Sequence, residues 1–418
     1  MAETYPIRTI KPDEFTALCQ VSAEAFLETL PPELIEYERE VVEFDRTIAA
    51  FDGDQIVGTA GAYSFELVVP GGRSPAAGVS LVSVRPTYRR RGILTSLMDR
   101  LLADAAGRGE ALAILFASEP SIYGRFGYGL ATLHQSLLFK RGEGKPSAGT
   151  ATAEREAPRL RAAVPLAAKA ELATVFDAVL PYQPGMVARN DCWWNHLLAD
   201  PTAIKPPGMS ALHCVIAEDD QGPRGYALYR TKASWGDDHL ASGTVIVREL
   251  FSADPAATAA LWTDLLTRDL AGEVTARMRS MDDPVVAMLA NLRQARPSPS
   301  DGLWLRLIDV PAALRMRRYA AAADVVLEVA DPVLPANSGR WRLLTAGPDA
   351  DGTATCARTD DRADLRLPVH ALGACYLGRS SLGQLAAAGQ VAELTPGALG
   401  RLAAAMSWDR APHSPMMF

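Results

Sequence analysis

Residues 77–105, AGVSLVSVRPTYRRRGILTSLMDRLLADA, read as a buried strand, a basic turn and an amphipathic helix. Gly78 to Val84 is an apolar, valine-rich run, the pattern of a strand covered on both faces. Pro86 stops regular pairing, and Arg89, Arg90, Arg91 and Gly92 follow. Ile93, Leu94, Leu97, Met98, Leu101 and Leu102 then recur at helical spacing. A helix that begins at such a turn aims its free backbone N–H groups, and the positive end of its dipole, at whatever lies above the loop. The arginines beside those groups complete a site for a polyanion, and a pyrophosphate fits it. The loop has neither the Gly-x-Gly-x-x-Gly of dinucleotide folds nor the Gly-Lys-Ser/Thr ending of a P-loop.

The 418-residue length suits about two to four domains. Hydrophobic residues make up 48% and charged residues 22%, an ordinary globular balance. A net charge of −7 argues against nucleic-acid binding, because a polyphosphate backbone would be repelled. The same charge suits a cationic partner. No apolar run approaches the roughly 20 residues of a membrane span. MAETYPIRTI at the start has neither a basic n-region nor an apolar h-region, so no membrane or secretory role is expected. Cys19, Cys192, Cys214, Cys356 and Cys375 form no CxxC pair and read as reduced core residues of a cytoplasmic protein. The scattered histidines form no metal-ligand cluster, so no metal is expected, and His196 and His213 read as packing or surface residues.

Three blocks follow along the chain. The first contains the strand pair Thr47–Phe51 and Gln55–Val69 about an Asp52-Gly53-Asp54 turn, then the opening motif, then a strand over Ala111–Ala117. A polar Gly/Pro/Ser/Thr stretch after Lys140 has linker composition. The second block echoes the first in Gly243–Leu250 and Ala256–Leu270, but its connector has no arginine and carries Asp254 where an anion would bind. Trp193-Trp194 reads as a core or domain-interface anchor. The third opens near Arg296-Pro297-Ser298-Pro299-Ser300, with a strand, a turn at Pro311 and a helix.

Arg89-x-x-Gly92-x-Leu94 resembles the pyrophosphate loop of the GNAT superfamily of N-acetyltransferases, although Leu94 stands where a small residue is usual. VSVRPTYRRRGIL, SEPSIYGRFGYGLAT (residues 118–132), DGLWLRLIDVPAAL (301–314) and a terminal phenylalanine together resemble the enhanced intracellular survival (Eis) family. The resemblance implies an α+β chain with tandem GNAT-like α/β domains, over 1–145 (active) and 146–297 (degenerate), then a sterol-carrier-protein-like α/β domain over 298–418. It implies acetyl-coenzyme A as co-substrate, cationic amine acceptors that include aminoglycosides, and a homo-oligomer, a hexamer. By motif, the cofactor should lie against Val82, Ser83 and Val84. Its pyrophosphate should rest on Arg90, Arg91, Gly92, Ile93, Leu94 and Thr95, with Arg89, Ser118 and Glu119 also lining the cofactor. Tyr123 matches the family's general acid and the Phe418 carboxylate its general base.

Chemistry constrains these roles. A phenol near pKa 10 giving its proton outright to a thiolate near 8.5 is uphill by about 2 kcal/mol. Tyr123 should therefore hydrogen-bond the sulfur as charge develops, with the proton passing late. A terminal carboxylate near 3.5 cannot strip an alkylammonium near 10.4 without about 9 kcal/mol, so Phe418 should attract the cation and take the proton after the new bond has formed. The acids and rings of AFLETLPPELIEYERE should line the amine pocket, with Phe26, Glu28 and Tyr37 foremost. Met417 stands where some relatives carry an acid, which makes the pocket less suited to polycations. A lipid-binding protein with a vestigial transferase domain, and a protein-lysine acetyltransferase or scaffold, remain as alternatives.

Overall fold

The computed structural model describes residues 5–146, 157–347, 353–379 and 382–418. Residues 147–156 of the polar stretch lie outside them.

The first sheet has seven strands in the spatial order Ile7–Thr9, Thr47–Asp52, Gln55–Val69, Gly72–Val84, Leu112–Phe116, Leu303–Leu307 and Gly129–Leu130. The second, also seven-stranded, runs Ser298–Asp301, Leu133–Lys140, Ala271–Ser280, Gly243–Ser252, Gly222–Lys232, His213–Asp219 and Arg159–Ala163. The third has five strands in the order Ala354–Arg358, Gly339–Thr345, Ala323–Ala330, Leu365–Pro368 and Ala392–Glu393. Two connections interleave the blocks of sequence. Leu133–Lys140 leaves the first block to pair in the second sheet, and Leu303–Leu307 pairs antiparallel with Leu112–Phe116 in the first. The crossing is tight: Thr132 Oγ1 accepts from Leu303 N–H at 2.7 Å, and a Cβ on Gly302 would stand 2.5 Å from that oxygen.

Local chemistry explains the helix ends. The helix Val310–Met316 takes Pro311 into its first turn, where the missing N–H costs nothing, rather than in a turn before it. Asp309 caps it by accepting from Ala312 N–H at 2.8 Å. The helix Asp191–Leu198 places adjacent tryptophans on two domains, because consecutive positions lie about 100° apart. Trp193 packs on Tyr63 and Phe65 of the first sheet at 5.1 and 5.5 Å between ring centroids, and Trp194 packs on Phe176 at 5.4 Å. The doublet is a domain-interface anchor. In the third domain the buried Arg317 guanidinium has carbonyl partners, those of Cys375, Tyr376 and Met406. These close the C-terminal ends of two helices, whose dipoles favour a cation there.

The C-terminal tail returns across the central domain. Gln183 Nε2 donates to Ala411 O at 2.6 Å, Ala411 N–H donates to Asp282 Oδ2 at 2.9 Å, and His413 N–H donates to Pro184 O at 2.8 Å. The neighbouring Gly185 allows this approach, since a Cβ there would stand 2.9 Å from His413 O. Residues 185–188 in turn extend the first sheet, with Val68 N–H donating to Met186 O at 2.8 Å and Ala188 N–H to Glu66 O at 2.9 Å.

Burial, with Arg279 and His134 adding, pushes the His413 pKa down to about 3, and burial pushes His196 down to about 4. Histidines of the unfolded chain take up protons near pH 6.5. Their stabilisation is therefore complete above about pH 6.5 and is lost as pH falls towards 4, because the unfolded state binds the extra protons. Urea unfolding is expected to show a midpoint that drops between pH 7 and 5, with a shallower drop in His413→Asn. Equal slopes in the two proteins would contradict this.

Candidate active site

The parallel ladder between Gly72–Val84 and Leu112–Phe116 has three pairs, from Ala76↔Leu112 to Gly78↔Ile114, and then the strands part. Beyond Gly78 the first strand bulges. Thr59 pairs with Ser83 and Gly61 with Ser80, so one extra residue is accommodated, and Leu81 takes φ 56. Thr59 Oγ1 steadies the bulge by donating to Leu81 O at 2.7 Å, and lies 2.7 Å from Ser83 Oγ. Ser80, Leu81, Val82 and Val84 are accordingly half-buried, where the sequence implied full cover. A strand that has lost its neighbour cannot be covered on that edge.

A cleft of about 1120 Å³ opens over this parting. Val82, Ser83, Val84, Arg89, Arg90, Gly92, Ile93, Leu94, Thr95, Ser118, Glu119 and Tyr123 all line it, and so does Phe26. The helix Ile93–Gly107 starts at Gly92, whose φ of 83 suits glycine, and no side chain caps it. Its first N–H groups are therefore open to a ligand. The Arg89 and Arg90 side chains are exposed and have no ion-pair or hydrogen-bond partner among the described residues. Arg91 is placed differently. It lies outside the cleft lining, donating to Tyr5 Oη at 2.8 Å and Thr87 O at 3.1 Å.

Tyr123 ends the short helix Pro120–Tyr123, its ring buried, and burial raises its pKa above that of an ordinary phenol. Phe418 reaches the parting from the other end of the chain. Its ring lies 4.8 Å from Phe65, 5.5 Å from Phe116 and 6.3 Å from Tyr63, between centroids. A Cβ on Gly78, the last paired residue, would stand 2.4 Å from the Phe65 ring and 3.2 Å from that of Phe418, so glycine makes room chiefly for Phe65.

Two expected pocket residues sit elsewhere. Glu28 is exposed and lies outside the cleft lining. Tyr37 stacks on His196 at 3.8 Å and donates to its carbonyl, fastening the Pro32–Arg39 helix to the central domain. Burial, then the Glu38 charge, pushes the Tyr37 pKa up to about 12. Glu38 is one of the acids expected to line the amine pocket, although Glu28 stands ahead of it in the sequence reading. It is half-buried with no ion-pair partner among the described residues, its pKa is raised by burial, and its charge bears on Tyr63. Leu27, Ser121, Ile122 and Arg125 also line the cleft. The last three flank Tyr123 in sequence, which was the available signal.

Residues 6–131 match the model of an acetyltransferase (GNAT) domain, residues 185–307 match a second model of that kind, and residues 310–415 match a sterol carrier protein domain. An uncharacterized N-acetyltransferase of Streptomyces avermitilis is 44% identical over 373 residues, 89% of either chain. N-acetyltransferase Eis of Mycobacterium tuberculosis is 33% identical over 406 residues, 95% of either chain. The chain belongs to the Eis family of N-acetyltransferases. The crystal structure of Eis1 from Mycobacterium abscessus superposes with a TM-score of 0.83 at 32% identity, covering 99% of this chain and 100% of that one.

GNAT domains use acetyl-coenzyme A, and this Eis-family chain offers fitting groups in its first domain. The cleft exceeds the ~300–1,000 Å³ of pockets for drug-sized ligands. In the second GNAT domain the corresponding helix start is capped by the chain itself. Asp254 caps the helix Pro255–Leu266 by accepting from Ala257 N–H at 3.0 Å, and its carboxylate also holds Arg224 at 2.8 Å. A carboxylate already occupies the position an anion would need. Among the described residues no group of three or more His, Cys, Asp or Glu could hold a metal ion, and no helix is long and apolar enough to cross a membrane.

Arg89→Ala and Arg90→Ala are each expected to weaken acetyl-coenzyme A binding about tenfold, more at low salt, while Arg91→Ala changes it little. Calorimetric titration at two ionic strengths checks this, and an Arg91 effect as large as the others would contradict the placement.

Proposed function

We propose that the chain transfers an acetyl group from acetyl-coenzyme A directly to the amine of a cationic small molecule. The observation that carries this is that the basic turn, the splayed strand and Tyr123 open onto one cleft. Bound there, acetyl-coenzyme A supplies a thioester-activated acetyl group. The N–H groups at the start of the Ile93–Gly107 helix, with Arg89 and Arg90, hold the diphosphate. Backbone N–H groups near Val84, freed by the parting of the strands, stabilise negative charge on the reacting oxygen.

Tyr123 holds its proton throughout the physiological range, because burial makes the neutral phenol harder to ionise. It donates a hydrogen bond and yields the proton last. The carboxylate that Phe418 carries attracts the ammonium; the amine attacks after releasing one proton to water, and the carboxylate receives a second proton late, when the new bond has made the nitrogen acidic. Glu38 supplies a second negative charge on the amine side, beside Tyr63. Phe26 and Leu27 line the cleft and are 44% and 93% exposed, and Met417 is 63% exposed. Apolar Phe26 and Leu27 on the cleft wall, with Glu38 half-buried and acting on Tyr63, favour an amine with an aromatic or alkyl body over an aminoglycoside polycation.

Thiol release over arylalkylamines, polyamines, aminoglycosides and lysine peptides tests the reading, and faster turnover of lysine peptides than of every small amine would overturn it. Tyr123→Phe, and one residue appended after Phe418, should each lower kcat about a hundredfold with acetyl-coenzyme A affinity unchanged. Unchanged rates would remove the residue concerned from the mechanism. A fall in kcat due to loss of the tyrosine proton should appear only above about pH 10, since the acid form disappears as pH rises through the raised pKa. Glu38→Gln should raise the amine KM about tenfold and leave acetyl-coenzyme A binding alone. A reversed pattern would place Glu38 on the cofactor side.

A further inference from the structure

We propose that Arg306, anchored by Asp331 of the sterol-carrier-like domain, is a positioning residue for Tyr123. The inference rests on Tyr123 acting in the transfer, and it gives the third domain a part in the chemistry. Arg306 lies on the Leu303–Leu307 strand, which the third block contributes to the first sheet, and its side chain is wholly buried. Its Nη2 donates to both Asp331 oxygens at 2.9 and 2.7 Å, while its Nη1 donates to the carbonyl of Phe126. Phe126 is three residues from Tyr123, in a turn closed by Tyr128 N–H donating to Tyr123 O at 3.2 Å and Gly127 N–H to Gly124 O at 3.0 Å. The guanidinium therefore grips the turn that carries the tyrosine.

The far end of this strut has partners besides the arginine. Asp331 also accepts from Asn337 Nδ2 at 2.9 Å, from Val333 N–H at 3.1 Å and from Leu334 N–H at 3.0 Å. Asn337 is held in turn by accepting from Val310 N–H at 3.0 Å. The near end is shaped to receive it. Gly127 has φ 82, and a Cβ there would stand 1.6 Å from Arg306 Nη1, so a side chain and the guanidinium could not coexist. Tyr128, with no exposed surface, then meets the Tyr123 ring edge-on at 6.1 Å. A buried ion pair adds little net stability over apolar groups of similar size, whereas it fixes direction. Direction is what a proton donor needs, since small misplacements cost large factors in rate.

The test compares Asp331→Asn, Tyr123→Phe and the double variant by steady-state thiol release and by acetyl-coenzyme A titration. Asp331→Asn is expected to lower kcat about tenfold or more, with acetyl-coenzyme A affinity unchanged. The double variant should be no slower than Tyr123→Phe alone, because a misplaced phenol and an absent one are lost only once. If Tyr123→Phe leaves kcat unchanged, the role of Tyr123 falls and this inference with it. If Tyr123→Phe is slow but the two effects multiply, or Asp331→Asn matches the parent, the strut alone is overturned. Should Asp331→Asn fail to fold, amide exchange on the parent protein decides. Gly127 and Tyr128 should open together with residues 323–330, and faster independent opening overturns the proposal.

Discussion

Two parallel strands that cease to pair at Gly78 create the space on which everything else in this chain depends. A sheet cannot leave a row of backbone groups unpaired without a partner for them, and here the gap is answered from three directions. The bulge at Leu81 turns the strand edge, the uncapped helix after Gly92 presents its N–H groups, and the Phe418 ring stands against the last paired residue. In the second GNAT domain the equivalent helix is capped by Asp254 and that carboxylate is tied to Arg224. The helix start is uncapped in one copy and capped by an acidic residue in the other.

The three domains converge on that gap. The central domain clamps the tail through Gln183 and Asp282. It also holds the Pro32–Arg39 helix through the stack of Tyr37 on His196. The third domain lends a strand to the first sheet and reaches the tyrosine turn through Arg306. Close backbone approach is needed at these seams. A Cβ on Gly129 would stand 2.0 Å from His370 O, and one on Gly373 would stand 2.2 Å from Leu305 O. The transfer proposed for Tyr123 and Phe418 would need such seams to be rigid.

Much of this was legible in the sequence, for physical reasons that differ by residue. The strand, basic turn and helix of residues 77–105 announce themselves because periodicity and Gly92 are local signals. The tryptophan doublet showed its anchoring character through size alone. Arg91 was not separable from Arg89 and Arg90, because its partner, Tyr5, lies far away in sequence. Glu28 and Glu38 look alike in a charged segment, and only folding decides which is exposed and which is half-buried. The exchange of strands across Thr132 and Gly302 is a long-range event that no window of sequence carries. Arg306 reads as one more charge in an alternating strand until Asp331 and Phe126 are seen on either side of it.

The central claim is that a diphosphate rests on the open helix terminus beside Arg89 and Arg90. Calorimetric titration of the unaltered protein with acetyl-coenzyme A, and in parallel with S-acetylpantetheine, which lacks the diphosphate and nucleotide, tests it most directly. Binding of acetyl-coenzyme A at least about a hundredfold tighter, with the difference shrinking as salt is added, is the result this account requires. Equal affinity for the two compounds, or no affinity for either, would contradict it.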